Sequence, residues 1–160
     1  MEKELVVGIG DMKLGRQEGT IITYALGSCV GIALYDPMIK LGALVHIMLP
    51  ERANESDGNI FKYADTGLRE TFRKLYAYGA SKHRLTAKIA GGAKMFEMKG
   101  GSSLGNIGER NAQNVKRVLM QEGIRIVKED LGANYARTMS LDLENGMVII
   151  KTFGRPELKM

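Results

Sequence analysis

The sequence is poor in metal-binding and redox-active side chains: it has a single cysteine, Cys29, and only two histidines, His46 and His83. One thiol cannot close a disulfide within the chain or build a multi-thiolate zinc site. Such a low cysteine content fits a reducing compartment. No apolar run approaches the roughly 20 residues that a membrane-spanning helix needs, and the acidic N-terminus differs from a basic signal peptide. We therefore expect a cytoplasmic protein with no cofactor, no metal and no segment inserted in a membrane.

Length and charge narrow the class of protein further. A chain of 160 residues with 44% hydrophobic and 26% charged residues is typical of a globular protein, and we expect one domain spanning residues 1–160. The net charge of +5 favours an acidic partner only mildly. The densest basic stretch, residues 82–84, is short and belongs to no nucleic-acid-binding module, so we do not expect nucleic acid as a partner.

The hydrophobic pattern alternates between strand-like and helix-like stretches, which indicates a mixed α/β or α+β fold. Two helices are predicted at 59–78 and 108–122, the first from apolar residues that recur every four positions, and each is followed by a glycine. Strands are predicted at 5–9, 18–24, 30–35, 41–49, 85–90, 124–128, 137–143 and 147–153.

Cys29 and His46 lie on either side of a predicted hairpin. If Pro37 and Met38 form a two-residue turn, Cys29 lies directly opposite His46, with β-carbons roughly 4.5–5.5 Å apart. A change of turn type would move the pair to a diagonal position, whereas a slip of one residue would separate their faces. An imidazole at this distance can lower a thiol pKa from about 8.5 towards roughly 3.5–7.5, the range of reactive thiolates. The alternative is a buried structural cysteine beside a core histidine, with His83 merely solvated.

Four sequence blocks stand in order along the chain: Thr23-x-x-Leu26-Gly27-Ser28-Cys29-Val30, His46-x-Met48-Leu49-Pro50, Lys88-Ile89-x-Gly91-Gly92-Ala93-x-Met95 and Ile107-Gly108-x-Arg110-Asn111. Together they resemble the signature blocks of the CheD family of chemoreceptor glutamine deamidases. A fifth block, Glu129–Arg137, matches less closely because Ala133 stands where a second glycine is usual.

The resemblance implies that Cys29 is a nucleophile, His46 its general base and acid, and Thr23 the group that orients the imidazole. Cys29 would attack the carboxamide of a receptor glutamine, and water would hydrolyse the thioester to glutamate. The same machinery could hydrolyse a glutamate methyl ester. Backbone N–H groups around Ser28 and Cys29 are candidate oxyanion donors, with Gly27 beside them.

The resemblance also implies a fold and partners. The fold would be a small α/β cysteine hydrolase with mixed sheets flanked by helices, similar to the catalytic domain of cytotoxic necrotising factor toxins. The partners would be the cytoplasmic domains of methyl-accepting chemoreceptors, in receptor arrays at the membrane, and a CheC-type phosphatase of the chemotaxis response regulator. Two alternatives stay open: a non-catalytic chemotaxis adaptor, and a nucleotide-binding protein that uses the glycine-rich loop 100–108.

Overall fold

The computed structural model describes residues 3–53, 58–95 and 106–160. These residues form ten β-strands and two α-helices, the first helix preceded by a 3₁₀ turn at Ile60–Lys62. In chain order the elements are β1 (Glu4–Val7), β2 (Asp11–Arg16), β3 (Thr20–Leu26), β4 (Val30–Asp36), β5 (Leu41–Ile47), α1 (Ala64–Ala77), β6 (Thr86–Gly91), α2 (Ile107–Glu122), β7 (Arg125–Leu131), β8 (Arg137–Asp142), β9 (Val148–Lys151) and β10 (Leu158–Lys159).

The strands form two sheets of five strands each. The outer sheet has the order β1-β3-β8-β9-β10, and the central sheet has the order β2-β5-β4-β6-β7. In each sheet one pair is parallel, β1 with β3 and β6 with β7, and the other pairs are antiparallel. The expected α+β class with mixed sheets is therefore confirmed. No helix among the described residues is both long enough and apolar enough to cross a bilayer.

The central sheet is covered on both faces. One face packs against α1 and α2 through a large apolar cluster, and the other packs against the outer sheet through a second cluster. Every residue of β4 and β5 is buried as a result. Along β5, Val45 and Ile47 belong to the helix side, whereas Leu44 belongs to the cluster between the sheets. Because strand side chains alternate between faces, His46 also points between the two sheets.

The predicted helices are confirmed with adjusted ends. The first α-helix begins at Ala64, after the 3₁₀ turn, and buries Leu68, Phe72 and Leu75 as its periodicity predicts. The second helix ends at Gly123, whose φ of 81° is the left-handed conformation of a glycine cap. The strands β2 and β10 were not predicted.

The predicted two-residue turn at Pro37 and Met38 is wrong. Asp36 pairs with Leu41, so residues 37–40 form a four-residue loop. The carboxylate of Asp36 explains the longer loop, because it is buried and accepts hydrogen bonds from the Met38 N–H within the loop and from the Arg84 guanidinium. The β4–β5 register is therefore shifted by two residues from the predicted one.

Candidate active site

The thiol and the imidazole lie diagonally on one face of the central sheet. Gly31, rather than Cys29, is directly opposite His46, and Cys29 lies in the bend just before β4. The half-buried Cys29 packs against the cluster between the sheets, the side on which His46 also lies. A Cβ on Gly31 would come within 2.7 Å of the Met139 sulfur. The glycine therefore leaves room where the two sheets approach each other.

Thr23 fixes the tautomer of His46 from the opposite sheet. Its Oγ1 lies 2.7 Å from His46 Nδ1 and donates a hydrogen bond of 2.8 Å to the carbonyl of Val7. A hydroxyl has only one proton and a carbonyl can only accept. Nδ1 must therefore carry the proton that Thr23 Oγ1 accepts, and Nε2 of His46 holds a lone pair.

That lone pair is buried and unused. His46 is fully buried, and its Nε2 has no hydrogen-bond partner among the described residues. Burial lowers the pKa of His46 from 6.5 to about 4, so the ring is neutral near pH 7. A buried polar atom without a partner costs about 1–3 kcal/mol and calls for an explanation. An unpartnered lone pair on a neutral imidazole is available to accept a proton.

Burial acts on the thiol of Cys29 in the opposite direction. It raises the pKa of the Cys29 thiol, and this effect outweighs the contribution of the residue's own backbone N–H, which lowers it. The sequence-based expectation that the imidazole would lower the pKa of Cys29 by forming an ion pair is therefore wrong for the free protein. Because burial penalises both charged forms, the resting pair is a neutral thiol and a neutral imidazole.

The bend that carries the thiol is held by its carbonyl groups. The Gly27 carbonyl accepts a hydrogen bond from the Ala93 N–H, and the Cys29 carbonyl accepts one from the Gly92 N–H, at 2.9 and 2.8 Å. Gly91 has a φ of 113°, and a Cβ there would lie 2.2 Å from the Cys29 oxygen. The segment Gly91–Ala93 therefore has to begin with glycine to approach the bend so closely.

The N–H groups of the bend differ in availability. The Gly27 N–H donates to the Ala25 carbonyl at 3.0 Å, so it is already engaged. The N–H groups of Ser28 and Cys29 have no backbone partner among the described residues. Of the sequence-predicted oxyanion donors, these two are the ones that no backbone carbonyl of the described residues engages, so they are the candidates to bind a developing negative charge.

One residue at the site was quoted in a sequence block without receiving a role. Asn111 on α2 is buried, and its Nδ2 donates hydrogen bonds of 3.0 Å to the carbonyls of Ser28 and Met48. Gly108, one turn earlier, allows α2 to approach the Gly91–Ala93 segment, because a Cβ there would lie 2.3 Å from the Ala93 oxygen. Periodicity could indicate only that Asn111 lies on the inner face of α2.

The remaining candidates fall outside the site. His83 is exposed, and its N–H donates to the Ser81 hydroxyl, in agreement with the solvated histidine expected from the sequence. Most of the glycine-rich loop considered for nucleotide binding, residues 100–105, lies outside the described residues.

Comparisons with known proteins show which family the chain resembles. A family model described as "CheD chemotactic sensory transduction" matches residues 48–152. A protein of Pyrococcus abyssi named "Probable chemoreceptor glutamine deamidase CheD" is 51% identical, and the alignment covers 92% of this chain and 91% of that protein. Two proteins with the same name come from Syntrophomonas wolfei, at 46% identity, and from Lachnoclostridium phytofermentans, at 41% identity. The first alignment covers 98% of both chains and the second covers 100% of both chains.

Proposed function

The chain belongs to the CheD family, and we propose that it deamidates glutamine side chains of chemoreceptors through a thioester on Cys29. One observation carries the catalytic assignment: a buried, neutral imidazole whose Nε2 lone pair lacks a partner among the described residues lies on the same face as the only thiol. A cysteine activated by a neighbouring base is one arrangement that catalyses acyl transfer.

The first half of the reaction forms the thioester. His46 Nε2 takes the proton of Cys29 as Sγ attacks the carboxamide carbon of the glutamine. The carbonyl oxygen becomes an oxyanion that the N–H groups of Ser28 and Cys29 stabilise. His46 then returns the proton to the amide nitrogen, the C–N bond breaks and ammonia leaves.

The second half restores the enzyme. His46 Nε2 takes a proton from water, whose oxygen attacks the thioester carbon, and the C–S bond breaks to give glutamate and the Cys29 thiol. Throughout both steps Thr23 Oγ1 accepts the Nδ1–H bond, which keeps Nε2 directed at the reaction. Thr23 also stabilises the transient imidazolium, because a charge-assisted hydrogen bond is roughly twice as strong as a neutral one.

The family also suggests where and with whom the protein works. We propose that the domain, residues 1–160, acts in the cytoplasm on receptor arrays, where its net charge of +5 would favour acidic receptor surfaces. A CheC-type phosphatase as partner, hydrolysis of receptor glutamate methyl esters and a fold like that of the cytotoxic necrotising factor catalytic domain are further proposals on the same basis.

Mass spectrometry of receptor cytoplasmic fragments tests the activity. Fragments incubated with the protein should gain glutamate at individual glutamine positions, and Cys29→Ala should abolish the conversion. His46→Asn retains a side-chain donor near the place of Nδ1 but has no atom at Nε2, so it should fold and be inactive. Receptors that bind the protein yet show no conversion would contradict the deamidase and favour the non-catalytic adaptor.

A further inference from the structure

Asn111 connects the two segments that carry the reacting groups. Its amide nitrogen donates to the carbonyl of Ser28, which precedes Cys29, and to the carbonyl of Met48, which lies two residues after His46. The side chain comes from α2, in the layer on the far side of the central sheet. A single buried group from the helical layer thus connects the nucleophile segment to the base segment.

The chemistry of the site fixes how the amide is oriented. An asparagine amide has two N–H protons on nitrogen and none on oxygen. Both acceptors near Asn111 are carbonyl oxygens, so only the nitrogen can satisfy them, and a flipped amide would set oxygen against oxygen. Meanwhile Asn111 Oδ1 is buried with no partner among the described residues. The fold tolerates an unsatisfied acceptor here while both donors are used.

The two carbonyls lie where the strand ladder has ended. The last pair of the β4–β5 ladder at this end is Val30 with Ile47, so Met48 lies one residue and Ser28 two residues beyond regular strand pairing. We propose that Asn111 is a positioning residue that closes this open end of the ladder and thereby holds Cys29 Sγ within reach of His46 Nε2. The inference rests on the proposed function for its catalytic meaning.

Alkylation of Cys29 by iodoacetamide, followed by mass spectrometry, tests the coupling without any receptor. At pH 7 we expect His46→Asn to slow alkylation roughly 10-fold or more, because the base no longer takes the thiol proton. Asn111→Asp, which loses both N–H donors and sets a carboxylate against the two carbonyls, should slow it by a similar factor. The double variant should then be little slower than either single variant.

Asn114→Asp is the matched control. It makes the same change on the same helix, at a partly exposed residue whose amide bonds to the Arg110 carbonyl, and it should alkylate as the unchanged protein does. If the effects of His46→Asn and Asn111→Asp multiply in the double variant, Asn111 does not act through the pair and the proposal is overturned. Should Asn111→Asp fail to fold, Asn111→Ser removes the second donor without adding charge, and the same cycle applies.

Hydrogen exchange separates failure of the inference from failure of the proposed function. Loss of the two Asn111 hydrogen bonds should speed amide exchange around residues 29–31 and 46–48 by about 10-fold or more, while exchange in the rest of the core is unchanged. An unaffected alkylation rate in His46→Asn would contradict the base role and hence the proposed function. Faster local exchange in Asn111→Asp would still establish that Asn111 holds the two segments together, and unchanged exchange would overturn the inference.

Discussion

Thr23→Val is the sharpest test of how the imidazole is held. Valine has nearly the shape of threonine but no hydroxyl, so the change removes the link between His46 Nδ1 and the Val7 carbonyl. Thr23 and His46 are both fully buried, so water does not replace the lost bond. Leaving the imidazole N–H without an acceptor costs about 1–3 kcal/mol, and we expect the free energy of unfolding to fall by about that amount.

The same energy sets the expected loss of activity. In the unchanged protein the hydrogen bond to Thr23 favours the tautomer with the proton on Nδ1, which leaves Nε2 as the base. Without Thr23 Oγ1 this preference of about 1–3 kcal/mol disappears, and each 1.4 kcal/mol is roughly a factor of ten in population. We therefore expect kcat for deamidation to fall roughly 5- to 150-fold with KM nearly unchanged, because Thr23 is fully buried and acts through the imidazole.

Thr23→Ser separates the hydroxyl from the packing. Serine keeps Oγ and loses one buried methyl group, which costs about 1 kcal/mol of stability, so its kcat should stay close to that of the unchanged protein. Both variants are measured by ammonia release from a receptor fragment and by thermal unfolding. A folded Thr23→Val variant as active as Thr23→Ser would refute the tautomer argument.

Three further predictions concern stability. The pKa of His46 is about 4 in the folded protein, compared with an ordinary value of 6.5. The free energy of unfolding should therefore be at its full value above pH 6.5 and about 3 kcal/mol lower at pH 4, because only the unfolded chain takes up the proton in this range. Urea titrations across this range should show the loss, and an equal loss in His46→Asn would contradict it. Gly91→Ala should cost several kcal/mol and abolish activity through its clash with the Cys29 carbonyl, whereas Gly132→Ala, at a φ of 85° in open space, should cost only about 1–2 kcal/mol in the same titration. Ala133→Gly should raise the unfolding free energy by about 0.5–1 kcal/mol, because Ala133 has a φ of 60° that favours glycine; a lower thermal midpoint would contradict this.

The sequence predicts those elements of the fold whose apolar residues follow a regular pattern. Each helix buries one apolar face, whereas β4 and β5 are nearly continuous apolar runs that are buried on both faces. In contrast, β2 is an edge strand with only one buried residue, Met12, and β10 spans two exposed residues, so neither shows a clear period. The order of strands within the sheets leaves no trace in local periodicity.

The residues of the candidate site also differ in how far the sequence predicts them. Cys29 and His46 could be found because these residue types are rare in the chain, and they share a face although the predicted register was wrong by two residues, since an even shift preserves the face. Thr23 has no local signal that connects it with His46, because the two strands belong to different sheets; its role came only from the family resemblance. Asn111 contacts segments more than 60 residues away, a relation that no local pattern contains.

The neutral state of the resting pair determines when the thiol becomes reactive. Transfer of the proton from Cys29 to His46 creates two charges in a region where burial raises the pKa of the one and lowers that of the other. Charge separation alone is therefore unfavourable, and in the proposed mechanism the proton leaves Cys29 as Sγ attacks an electrophile. With a carboxamide, the negative charge passes from sulfur to an oxyanion that backbone N–H groups can bind. Because proton transfer and attack are coupled, Cys29 reacts slowly with any electrophile, iodoacetamide included, when His46 Nε2 is absent.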